Sequence, residues 1–100
     1  MNNFKLFRDK CFVNGEWISS ISGDTIVVNN PATLENIGTV PKCGREETKK
    51  AIEAANQAWP EWKSKSARER SNILKKWFDL IIENKEELAQ IMTIEQGKPI

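Results

Sequence analysis

Near Gly44 the spacing of apolar positions changes from the short β-branched runs of strands to the three- and four-residue recurrence of helices. On the N-terminal side, Cys11-Phe12-Val13 and Trp17-Ile18 flank Asn14-Gly15, a pair that tolerates the positive φ angles of a two-residue hairpin turn. Gly23-Asp24 is a second turn signal. After it, Thr25-Ile26-Val27-Val28 is β-branched at every position and therefore stiff at χ1, which favours a strand. Pro31 cannot donate to a ladder and pushes Asn30 toward extended geometry, so 29–33 is expected to be a loop leaving the sheet. Ile37 to Val40 predicts a further short strand closed by Pro41.

Beyond Arg45 the pattern is helical. Ala51, Ile52, Ala55, Ala58 and Trp59 recur along one side, Glu46 and Glu47 sit in the first turn where the helix dipole favours acid, and Pro60 is expected to end the helix. Ser66-Ala67-Arg68-Glu69 is a capping box that starts a second helix. Its stripe is Ile73, Leu74, Trp77, Phe78, Ile81 and Ile82, with Lys75, Lys76, Asp79 and Glu83 opposite. Asn84-Lys85-Glu86-Glu87 repeats the cap signal, Leu88, Ile91 and Met92 continue the stripe, and Gly97 supplies a left-handed C-cap with Pro99 beyond it. The sum is an α+β piece: short antiparallel strands over about 11–40, then helices at about 45–59, 67–83 and 85–96. The large apolar side chains of the last two helices exceed what the short strands can cover, and an uncovered patch of that kind marks a docking surface.

Composition narrows the functional classes. With 39% apolar residues, a 100-residue domain buries only about two-thirds of the surface its unfolded chain exposes, so its stability is thin. Fifteen Lys and Arg against fourteen Asp and Glu leave a net charge of +1, which sets up no field to attract nucleic acid or anionic lipid. No apolar run approaches the ~20 residues of a membrane span, and Met1-Asn2-Asn3 leads into charged residues rather than a signal-peptide core; the pattern is that of a soluble cytoplasmic chain. Histidine is absent, which removes a zinc site of the usual ligands, and the distant Cys11 and Cys43 read as reduced, partly buried thiols.

Six blocks in order, covering Leu6 to Pro99, resemble the aldehyde dehydrogenase superfamily. They are Phe12-Val13-Asn14-Gly15-Glu16-Trp17, Asn30-Pro31-Ala32-Thr33, Gly38-Thr39-Val40-Pro41, Ala51-Ile52-Glu53-Ala54-Ala55 running to Trp62, Arg70-Ser71-Asn72-Ile73-Leu74 with Trp77, and Leu88-Ala89 through Glu95-Gln96-Gly97-Lys98-Pro99. The Thr93-to-Pro99 ending and Leu6-Phe7-Arg8 look most like the succinate-semialdehyde dehydrogenase branch. The resemblance implies oxidation of an aldehyde to an acid by a cysteine thiolate, with hydride transfer to NAD or NADP and hydrolysis of a thioester. It also implies homo-oligomers. The family's nucleophile, its general-base glutamate and its glycine-bearing cofactor turn would all follow Ile100. The five glycines form no GxGxxG, and neither cysteine stands in the family's active-site motif.

No catalytic or cofactor-binding residue is therefore assigned, and no NAD or NADP is expected on this chain alone. The resemblance implies a scaffold piece, the first part of an α/β cofactor-binding domain: either a decayed remnant of a dehydrogenase or one half of a split one, whose partner is a complementary dehydrogenase segment if one is encoded. It also implies a structural monovalent cation held by backbone oxygens of Val28 and Asn29 and by the Glu95 side chain, where many relatives have the shorter Asp. The alternative class is a small non-enzymatic binding module that docks a partner helix through its amphipathic helices.

Overall fold

The computed structural model describes residues 3–100; Met1 and Asn2, the beginning of the N-terminus weighed above against a signal peptide, lie outside it. The apolar runs flanking Asn14-Gly15 become two strands, β1 (Cys11–Val13) and β2 (Glu16–Ile18), paired antiparallel with Phe12 opposite Trp17. Asn14 and Gly15 turn between them at φ of 52° and 78°, the left-handed pair a two-residue hairpin requires. On its outer face the Phe12 and Trp17 rings lie 5.0 Å apart, and the Arg8 guanidinium stands 5.4 Å from the Trp17 ring. That arrangement adds a cation–π contact to the cross-strand pair.

The next two strands, β3 (Thr25–Asn29) and β4 (Asn36–Pro41), pair antiparallel in a sheet of their own. The chain thus returns directly after the Asn30-Pro31 turn instead of leaving, and the strand runs one residue past Val28 with a register shift between Val28 and Asn29. The reason lies in Asn30. Its side-chain Oδ1 accepts from the amides of Ala32 at 2.9 Å and Thr33 at 3.4 Å, its carbonyl accepts from Leu34 N–H, and its own N–H donates to Glu35, which closes a tight reversal. Pro41 also falls within β4 rather than beyond it, a position open to proline at the end of a two-stranded ladder, and Lys42 N–H continues the pairing to the Asp24 carbonyl at 2.8 Å.

Three helices follow: α1 (Arg45–Ser64), α2 (Ala67–Glu83) and α3 (Lys85–Gln96). Pro60 does not end α1, contrary to the sequence expectation. Proline removes one N–H, the donor to the Asn56 carbonyl, and that stretch is exposed so water can satisfy the freed oxygen. The last turn is then completed locally by Ser64 Oγ donating to Glu61 O and by Lys65 N–H donating to Trp62 O. The Ser66 capping box forms as expected, with Glu69 N–H to Ser66 Oγ at 3.1 Å and Ser66 N–H to Glu69 Oε1 at 3.2 Å.

Asn84 departs from the expected cap. Its side-chain nitrogen donates back to Leu80 O at 2.8 Å, so it seals the end of α2 and leaves the start of α3 without a side-chain cap. Gly97 ends α3 in the left-handed region at φ 84°, donating to Thr93 O.

What these elements lack is an apolar interior. Among the described residues no large hydrophobic side chain is buried, whereas Ser20, Pro41 and Glu47 are. The radius of gyration is 16.6 Å, against about 13 Å for a compact domain of this length. No helix among the described residues is long and apolar enough to cross a membrane.

Candidate functional site

Three places on this framework carry polar or apolar groups beyond what local structure needs. The first lies where the β1–β2 hairpin meets the start of α1. Gly44 has no side chain with which to cap that helix, and Glu47, one turn in, takes the role from inside. Its Oε2 accepts from Ile21 N–H at 3.1 Å, tying the segment after β2 to the helix. The Glu47 amide itself, then the Ile21 and Gly44 amides and the Cys43 thiol, hold this carboxyl below the ordinary carboxylate range, against the opposing effect of its burial. Beside it, the Cys11 and Cys43 sulfurs stand 3.9 Å apart, both thiols free and half-buried. Burial, the Cys11 sulfur and the Glu47 carboxylate all push the Cys43 thiol upward.

An open cleft of about 440 Å³ runs along the same junction, lined by Ile18, Ile21, Glu47, Lys50 and Ala54 among others. Glu47 is committed to backbone amides, while Glu16, Glu53 and Lys50 also line the cleft.

The second place is the meeting of the Asn30-Pro31 turn with the end of α3. A Cβ built on Gly97 would lie 3.4 Å from Pro31 Cγ, so the two segments touch. Val28 and Asn29 precede Pro31 by three and two residues, and Glu95 precedes Gly97 by two. Val28 is half-buried at the register shift, while Asn29 and Glu95 are exposed. Two backbone carbonyls and one carboxylate are all hard oxygen donors, the set a monovalent cation prefers to soft or imidazole ligands. Among the described residues no three His, Cys, Asp or Glu side chains cluster to hold a metal ion.

The third is the outer face of α2 and α3. Trp77 is 62% exposed, Phe78 59%, Ile82 50% and Met92 53%, so the stripe predicted from the sequence is bare. The N-terminal segment touches both α3 and β4: Leu6 N–H donates to Glu87 Oε1 at 2.9 Å, and Phe7 lies over Gly38, where an added Cβ would sit 2.8 Å from the ring. Arg70 on α2 has a buried Nε with no partner among the described residues.

Sequence reasoning identified the bare face and missed Glu47 as a tertiary tie. The one signal for it was an acidic residue at the third helical position behind a capless glycine, which also fits a simple dipole interaction.

Known proteins match this arrangement closely. The model of the aldehyde dehydrogenase family matches residues 17–100. A glutarate-semialdehyde dehydrogenase of Pseudomonas aeruginosa is 55% identical over the whole chain, and the NADP(+) succinate-semialdehyde dehydrogenase of Escherichia coli is 47% identical. The crystal structure of succinate-semialdehyde dehydrogenase from Burkholderia pseudomallei superposes with a TM-score of 0.94 at 50% identity, covering 99% of this chain and 20% of that one. The chain spans about a fifth of the length of these relatives: 21% of each of the two curated enzymes.

Proposed function

This chain belongs to the aldehyde dehydrogenase family, and from that membership we propose that it serves as the opening part of the cofactor-binding domain of a semialdehyde dehydrogenase. The reaction of that enzyme is oxidation of succinate semialdehyde, or a homologous acid-bearing aldehyde, to the dicarboxylic acid with NAD or NADP. The observation that carries this reading is the bare α2–α3 face on a backbone that follows the relatives' N-terminal region with a TM-score of 0.94. A face of this size is costly to leave in water, since each large side chain contributes roughly 1.5–3 kcal/mol on burial.

In this role the residues position rather than react. Strands and helices hold a wall of the domain, while the nucleophile, the general base and the hydride acceptor belong to the part of the enzyme that aligns with the remaining length of the relatives. Val28, Asn29 and Glu95 would hold a monovalent cation that stitches β3 to α3, and the complete enzyme would work as a cytoplasmic homo-oligomer.

The test mixes the purified chain with the complementary downstream portion of a related semialdehyde dehydrogenase. The chain alone turns over neither succinate nor glutarate semialdehyde with NAD or NADP; the mixture forms a defined complex and recovers NAD(P)-dependent oxidation. Turnover by the chain alone that is lost on Cys11→Ala or Cys43→Ala would overturn the proposal, because the nucleophile would then lie here. A sharply melting monomer indifferent to the complement would favour an independent binding module.

A further inference from the structure

Cys11 and Cys43 are distant in sequence, yet the fold sets their sulfurs 3.9 Å apart. Each is held there from both sides. Cys11 opens β1 opposite Ile18, and the chain after β2 is fastened by Ser20 Oγ donating to Asp24 O at 2.7 Å and by Ile21 N–H donating to Glu47. Cys43 follows Lys42, whose amide pairs with Asp24 O, and precedes Gly44, the first residue of the α1 cap. Two thiols held 3.9 Å apart at a junction of anchored segments have to close only the gap to bonding distance, about 2.05 Å in a disulfide. Neither is used by the function proposed above.

We propose that Cys11 and Cys43 form a redox-sensitive dithiol that closes to an intramolecular disulfide under hydrogen peroxide. The thiolate of one cysteine attacks a peroxide oxygen; the O–O bond breaks, hydroxide leaves, and the sulfur becomes a sulfenic acid. The second sulfur attacks that sulfur, the S–O bond breaks, and a second hydroxide leaves. The two thiol protons neutralise the two hydroxides. One peroxide is thus reduced by two electrons to two waters as the two thiols are oxidised to one S–S bond, and a dithiol reductant reverses the change by exchange. Closure would weld the β1–β2 hairpin to the start of α1, covalently reinforcing the tie that Glu47 makes through hydrogen bonds.

The experiment treats the reduced full chain with hydrogen peroxide, traps remaining thiols with an alkylating reagent, and reads intact mass and linked peptides. Expected is the loss of two hydrogens with both thiols disappearing together, a Cys11–Cys43 linked peptide in monomeric chain, and recovery of both thiols with dithiothreitol. In urea, where the fold no longer holds the sulfurs in contact, closure should be slower by roughly tenfold or more. Cys11→Ser and Cys43→Ser should each give no intramolecular bridge. Both thiols remaining free after peroxide, bridging only between chains, or equal closure rates in native buffer and urea would each overturn the proposal.

Discussion

Glu47 and Gly97 show how much single positions decide here. A carboxyl held below its ordinary range by backbone amides contributes stability that is fully present above the ordinary carboxylate pKa and disappears as pH falls through the lowered folded value. Glu69, held down by the Ser66 amide and hydroxyl, acts in the same sense. Unfolding midpoints followed from neutral pH into acid should therefore decline below the ordinary carboxylate range. Glu47→Gln should start lower at neutral pH and lose less on acidification; a variant that tracks the parent curve would separate Glu47 from acid stability. Gly97→Ala should cost about 1 kcal/mol, because φ of 84° suits glycine and not alanine, and the neighbouring Pro31 Cγ leaves just enough room for a methyl. Equilibrium denaturation of the two forms checks this. The glycine cap was legible in the sequence because its signal is local. Glu47's bond to Ile21 was not, because twenty-five intervening residues and a turn decide whether those two atoms meet.

At the scale of elements, local chemistry was read well wherever one outcome dominated. The Asn14-Gly15 turn and the Ser66 capping box each satisfy backbone groups in only one sensible way. Pro60 and Asn84 were read wrongly because each admits two outcomes: proline can break a helix or merely drop one exposed hydrogen bond, and asparagine can cap the helix behind it as well as the one ahead. Pro60→Ala should then restore the donor to the Asn56 carbonyl and raise stability by about 1–3 kcal/mol, with more helical circular dichroism. Ser66→Ala should lower stability by about 0.5–2 kcal/mol through loss of the cap. If Pro60→Ala destabilised the chain instead, the proline would have a packing role that its exposure does not indicate.

For the molecule as a whole, the periodicity correctly anticipated a bare apolar stripe, since it placed more large side chains on α2 and α3 than the strands could cover. The thiol contact was beyond any such reading, because spacing along a chain carries no information about which remote segments the turns bring together. Replacing Trp77 and Ile81 with Ala should weaken capture of the complementary dehydrogenase segment by roughly 1.5–3 kcal/mol per side chain in titration calorimetry, with the hairpin unaffected. Equal affinity for parent and variant would place the contact elsewhere. The strand pairings have a kinetic consequence as well. Each sheet joins two strands that are consecutive in the chain, β1 with β2 and β3 with β4, so neither has to wait for a remote partner to diffuse into place. Low sequence separation makes loop closure inexpensive in entropy and therefore fast. Both hairpins should form on the timescale of local events, well before slower docking of the apolar face, and pulse-labelled hydrogen exchange during refolding with the complement should show their amides protected first.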